Sequence, residues 1–259
     1  MTMRRRIQKM RRFLLGLGFS LLAPAAFAAC PAPPGPPDTG IRRVTDGDTL
    51  VLADGRHVRF VGIDAMELGH DGAADQAYAA QARDRLKQLI VEHGGKLRLG
   101  AGVDSYDEHG RSLAYVFAGG EDLGLELIRE GLAVLVAVPP DLSQLDCYAQ
   151  AEAQARNLRL GIWSKTSPLV TDTSHAELKP GTFLILRGEI TGAVRSGFGL
   201  KLLLDGKLPL WISAGDLRRF GTDPAELKGR RVLVRGWLRS YRGAAELDVH
   251  APQALLPQP

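Results

Sequence analysis

A few charged positions in two stretches of this chain could do chemistry together. Asp46-Gly47-Asp48-Thr49, Arg59 and Asp64-Ala65-Met66-Glu67 lie close in sequence, and Asp107-Glu108-His109-Gly110-Arg111 follows downstream. Aspartates with backbone carbonyls suit a hard cation that takes oxygen ligands. Guanidinium groups can donate in pairs to phosphate oxygens. A carboxylate left over from the metal can orient or deprotonate a water. That is the equipment of metal-assisted phosphodiester hydrolysis, in which fixed positive charge stabilises the developing phosphorane. Singly each piece is ordinary, since D-G-D-T is a common turn and an Arg–Asp pair is usually structural. Their joint order and spacing argue for a site.

The elements around these residues must bring them together. Strand-like segments at 41–45, 49–53 and 56–63 flank Asp54-Gly55, a strong two-residue hairpin signal. That turn would set Asp48 opposite Val61 and Arg59 opposite Leu50, with Asp48 and Arg59 on one face. Asp64 would lie just past the strand end and Glu67 on the emerging loop. A helix is expected over 73–92, stopped by Gly94-Gly95, and strands over 96–99 and 112–117 around the Asp107–Arg111 loop. Asp122 should cap a short helix ending at Gly131, and a longer helix should run over 142–160 before Gly161. The polar, aperiodic stretch 164–180 reads as a linker. Beyond it, strands over 183–190, 199–204, 208–212, 231–239 and 245–249, with a helical insert at 216–227, suggest a small barrel.

The first 28 residues are set apart. Six basic residues precede an apolar run from Phe13 to Phe27, and Ala26-Phe27-Ala28 fits a cleavage site, so a secretory signal peptide is expected. A membrane anchor is disfavoured because the run is short and contains Pro24. Without that leader the chain holds 27 basic and 29 acidic residues, so overall basicity is no argument for a nucleic-acid partner. The distribution says more: residues 29–180 carry 15 basic and 22 acidic groups, residues 181–259 carry 12 and 7. Residues 29–40 form a proline-rich lead-in. Cys30 and Cys147 are the two cysteines, and a disulfide between them is preferred to a lipid-modified Cys30, which Ala28-Ala29-Cys30 only partly supports.

Residues 41–163 resemble the staphylococcal nuclease (thermonuclease) family. The likeness runs through Val44-Thr45-Asp46-Gly47-Asp48-Thr49, Val58-Arg59-Phe60-Val61-Gly62-Ile63-Asp64, Tyr106-Asp107, Gly110-Arg111 and Leu113-Ala114-Tyr115. It continues in Glu130-Gly131-Leu132-Ala133, Ala151-Glu152-Ala153, Ala155-Arg156 and Gly161-Ile162-Trp163. The resemblance implies a mainly β (α+β) fold, a five-stranded OB-type barrel with about three helices. It also implies Ca²⁺-dependent hydrolysis of DNA or RNA to 3′-phosphate products. Asp48, Asp64 and the Ala65 carbonyl would then hold the ion with Asp46 nearby, Glu67 would act on the attacking water, and Arg59 and Arg111 would contact the phosphate. Two departures stand out. Met66 replaces a proline that stiffens the approach to Glu67. His109, Ala137 and Pro139 stand where family members carry nucleotide-clamping tyrosines.

Residues 181–259 resemble OB-type nucleic-acid-binding domains in strand count, size and the run Leu227–Trp237, implying a second small OB-like β-barrel. Arg231, Arg235, Trp237, Arg239 and Tyr241 are its candidate nucleic-acid contacts. The expected product is an exported periplasmic or extracellular endonuclease with a DNA or RNA substrate and no obligate protein partner. No transmembrane segment is expected after the leader is removed. The alternative is a non-catalytic nucleic-acid-binding protein on the same fold, which the full set of polar groups at the site disfavours.

Overall fold

The computed structural model describes Cys30, residues 39–69 and residues 72–258. The expected signal peptide at 1–28, and all of the lead-in except Cys30, Thr39 and Gly40, lie outside the described residues.

The first half begins with three antiparallel strands, β1 (Ile41–Val44), β2 (Thr49–Leu52) and β3 (His57–Phe60), followed by β4 (Ile63–Ala65). Then come α1 (Ala79–Glu92), β5 (Leu97–Tyr106), β6 (Ser112–Ala118), β7 (Glu121–Asp122), α2 (Leu123–Arg129), β8 (Ala133–Leu135) and α3 (Leu145–Leu158). The main sheet has the order β1-β2-β3-β6-β5, with β3 parallel to β6. A bridge from Thr39 to Leu97 brings the start of β1 back towards β5. Leu50, Leu52, Val58, Phe60, Tyr115 and Phe117 turn their side chains into a core that α2 and α3 cover. This half is mostly β with three helices, as expected.

The hairpin differs from expectation by one residue. Arg59 lies opposite Thr49, and Leu50 opposite Val58. A two-residue turn of the common hairpin type needs positive φ at both central residues. Gly55 (φ 91°) adopts it and Asp54 does not, so Ala53, Asp54 and Gly55 together form the loop, closed by the Leu52 amide on the Arg56 carbonyl.

Local signals set the helix ends. The Asp122 carboxylate accepts the Leu125 amide and starts α2. Helix α1 begins at Ala79 rather than 73, because Ala79 follows Tyr78, whose backbone is left-handed.

The second half contains β9 (Val170–Asp172), β10 (Phe183–Ser196), β11 (Gly199–Leu204), β12 (Leu208–Ser213), β13 (Arg231–Tyr241), β14 (Ala244–Asp248) and β15 (Leu255–Pro257). Pairings run from β10 to β11, β12, β14, β13 and back to β10, closing a ring in which β12 and β14 are parallel. Alternate residues of β12, namely Leu208, Leu210 and Ile212, point into its core. Two short 3-10 turns, Asp216–Arg219 and Pro224–Leu227, stand where a helical insert is expected.

The stretch 164–180 is more than a linker. It supplies β9, which pairs in parallel with β10. The two halves also share an apolar cluster: Met66, Ala79, Val134, Val136, Ala155, Ile162 and Trp163 pack with Ile185 and Leu233. Beside it Glu152 of α3 and Arg235 of β13, both almost fully buried, form an ion pair at 2.7 Å. Cys30 and Cys147 are joined in a disulfide with their Cα atoms 5.8 Å apart, and a sulfur so joined cannot carry a thioether-linked lipid. No helix among the described residues is long and apolar enough to cross a membrane.

Candidate active site

The bend before β2, the end of β3 and the short strand β4 bring Asp46, Asp48, Arg59 and Asp64 together. Asp48 sits in the bend, before strand alternation begins, so its side chain reaches Arg59 although the hairpin register is not the expected one. The Arg59 guanidinium is ion-paired with Asp48 and lies 2.5 Å from Asp64. Asp48 also accepts from its neighbour Thr49 Oγ1 at 3.0 Å and, across to β4, from the Ala65 amide at 2.5 Å. Asp46 accepts the Asp48 amide at 3.0 Å. Gly47 is required here by space, since a Cβ at that position would stand 2.6 Å from both Ala65 Cβ and Ala82 Cβ.

The electrostatics are unbalanced. Three buried carboxylates face one guanidinium. Burial, then repulsion by Asp48, pushes Asp46 up to about 7. Burial also raises Asp64 to about 7; Arg59 lowers it, while Asp48 and Glu67 push it further up. Burial opposes the charge on Arg59, but Asp48 and Asp64 outweigh it and raise its pKa above the ordinary value. Such an excess of buried oxygen-bearing negative charge fits a hard divalent cation. Among the described residues no three Asp, Glu, His or Cys side chains converge as a ready ligand set; Arg59 spans two of the carboxylates instead.

Glu67 lies at the mouth, exposed, and its backbone is tied on both sides. Its amide donates to the Gln76 side chain at 2.9 Å, and its carbonyl accepts the Gln76 amide at 3.0 Å. Met66 is buried in the cluster shared by the two halves. Packing and the Gln76 clasp therefore hold the segment that proline would otherwise stiffen. Sequence reading missed Gln76, because the loop between the two residues carries no pattern that would pair them.

Arg111 comes from the turn between β5 and β6. Its Nε lies 2.6 Å from Asp107, and its amide donates to the same carboxylate at 2.9 Å. Burial alone would raise Asp107, but these bonds from Arg111 more than offset it and hold the carboxylate below its ordinary range. Asp141, also missed, accepts the amides of Val103 and Asp104 and anchors β5 beside the site.

Arg59, Asp64, Glu67 and Arg111 line one cleft of about 400 Å³. His109 and Pro139 line it as well, whereas Ala137 does not. The cleft has a wall from the second half of the chain, Trp237. The other expected contacts of that half do not gather there. Arg235 is buried against Glu152 and so is not a surface group. Arg239 pairs with Glu246 and Asp248, and its guanidinium stacks near Tyr241. Arg231 is exposed near Asp172 at 3.6 Å. The burial of Arg235 was readable in principle, because it shares a strand face with Leu233.

Residues 57–165 match the family described as staphylococcal nuclease homologue. The chain is 34% identical over 125 residues to a thermonuclease of Staphylococcus hyicus, covering 47% of this chain and 73% of the relative. A thermonuclease of Staphylococcus intermedius is 32% identical over 128 residues, covering 48% of this chain and 75% of that protein. The chain belongs to the staphylococcal nuclease family. A further family relative, the SPbeta prophage-derived endonuclease YokF of Bacillus subtilis, is 34% identical over 140 residues. That match covers 52% of this chain and 46% of the relative, so the chain spans under half of that longer endonuclease. These relatives support a nuclease function for the family half, and the family match ends at residue 165, just before β9 and the second sheet.

Proposed function

We propose that the chain is an exported Ca²⁺-dependent nuclease that hydrolyses DNA or RNA to 3′-phosphate products. The observation that carries this is the convergence of Arg59, Asp64, Glu67 and Arg111 on one cleft. In this reading Asp48, Asp64 and the Ala65 carbonyl hold the cation, with Asp46 beside them. When bound, Ca²⁺ supplies positive charge to the phosphate oxygens as negative charge grows there. Arg59 and Arg111 bind the same oxygens, Arg111 being oriented by Asp107. Glu67 takes the proton of the water whose oxygen attacks phosphorus. The bond from phosphorus to the 5′-oxygen breaks, that oxygen leaves and is protonated, and the phosphate stays on the 3′ side.

Residues 41–163 form the nuclease domain in this reading, an OB-type barrel, and 181–259 a second OB-like domain. The closed five-strand ring of the second sheet supports the latter. The Cys30–Cys147 disulfide supports an oxidising compartment, periplasmic or extracellular.

Digestion of denatured DNA tests the mechanism. Cleavage is expected with Ca²⁺, with 3′-phosphate ends, and should stop with chelator. Glu67→Gln should lower turnover by about 10²–10⁴. Cleavage that survives both chelation and Glu67→Gln refutes the assignment, and binding without cleavage by the unaltered chain would favour a non-catalytic binding protein.

A further inference from the structure

A second cavity, of about 350 Å³, opens beside the first and is lined by Met66, Glu67, Gln76, Phe183, Ile185 and Trp237 among others. Asp64, Glu67 and Trp237 line both cavities. The indole therefore stands at the junction, level with the two carboxylates. Its own environment explains why it holds there. Trp237 faces Phe183 across the β10–β13 ladder, and the two rings pack edge to face with centroids 4.8 Å apart. Trp237 nevertheless keeps 40% of its surface exposed. A large ring that is braced on one side and open on the other, in a cleft that Arg59 and Arg111 also line, has the form of a stacking platform. The two cavities divide the chemistry. Arg59 and Arg111 line the first, while the second adds Met66, Phe183 and Leu169.

We propose that Trp237 stacks on the unpaired base of the nucleotide adjoining the scissile phosphate, so that the second half of the chain completes the substrate site. This rests on the nuclease reading of the first cavity and adds to it a base-binding subsite. Trp237 acts on binding, and the chemical step remains with Glu67 and the arginines.

The full chain is assayed on a single-stranded oligonucleotide and on the same strand carrying a base-free tetrahydrofuran nucleotide beside the cleavage point. Trp237→Ala should raise KM on the intact strand by roughly ten-fold or more and leave kcat nearly unchanged. Trp237→Phe should restore most of the loss. On the base-free strand Trp237→Ala and the unaltered chain should behave alike. A separate binding measurement, made in chelator where no cleavage occurs, follows quenching of indole fluorescence by the intact strand. Trp163 and Trp211 remain in Trp237→Phe, so the quenching that this variant lacks is due to Trp237. An unchanged KM in Trp237→Ala, an equal loss on both strands, or quenching that persists in Trp237→Phe overturns the proposal. If no strand is cut but Trp237 is still quenched, the nuclease reading fails and the stacking stands. If Trp237→Ala does not fold, the Trp237→Phe quenching and the two-strand comparison on the unaltered chain decide.

Discussion

The arginine–carboxylate groups at Arg59 and at Arg235 differ in balance. At Arg59, one guanidinium meets Asp48 and Asp64 with Asp46 beside them, and two of those carboxylates are pushed up to about 7. At Arg235, one guanidinium meets one carboxylate, Glu152, which Arg156 also approaches at 3.9 Å, and the Arg235 Nε finds no hydrogen-bond partner among the described residues. The Leu135 amide donates to Glu152 at 2.9 Å, and Arg235 donates to the Gln253 carbonyl at 2.8 Å. The first group opens on a cleft and carries surplus negative charge. The second is wedged between α3 and β13, and there two guanidinium groups approach one carboxylate. Burial of charge is common to both groups; they differ in the sign of the surplus and in the cleft that opens beside Arg59.

The comparison can be broken most forcefully through activity. Glu67→Gln should cost the factor given above in turnover while leaving the urea midpoint unchanged, since the residue is exposed. The Glu152–Arg235 pair should respond the other way. Glu152→Ala leaves Arg235 buried without its partner, and a loss of about 3–5 kcal/mol is expected in urea unfolding. Replacing both by apolar residues, Glu152→Leu with Arg235→Met, should recover most of it, because a buried pair contributes little beyond what good packing supplies.

A third, isolated carboxylate sharpens the contrast. Burial raises Asp122 to about 6, although it accepts the Leu125 amide and the Tyr148 hydroxyl. The folded state thus binds this proton more tightly than the unfolded chain. The resulting stability is complete below the unfolded value near 3.8 and is lost as pH rises through about 6. Asp122→Asn should flatten that decline, by up to about 3 kcal/mol across the window, as read from thermal unfolding at pH 4 and pH 7. The smallest effect belongs to the surface. Arg195 and Asp223 are paired at 2.6 Å with both side chains about half exposed, and Arg195→Ala should shift stability by no more than about 0.5 kcal/mol.

Much of the site was legible because its residues are local. Asp46 to Glu67 are carried by one hairpin and the strand after it, so the sequence alone could place them near one another. The register was misread at Asp54-Gly55, where one loop residue more than expected moved the pairing. Asp48 still meets Arg59 because it lies in a bend, outside the alternation used to place it. Strands β4 and β8 were unreadable as a pair, being three residues each and separated by α1, three β-strands and α2. The shared cluster and the reach of Trp237 into the cleft depend on contacts between residues far apart in sequence. Periodicity reports which face of a strand is apolar, and it is silent on what that face will meet.

Strand β9 has a consequence for how a substrate encounters the protein. A flexible tether lets two bodies search for one another, and its length sets how often they meet. Here the connecting stretch is itself woven into the second sheet through Val170, Thr171 and Asp172, while Trp163 just before it is bound into the common cluster. Neither end is at liberty to swing. The spacing between the carboxylates of the first sheet and the indole of the second is set by strand pairing and packing.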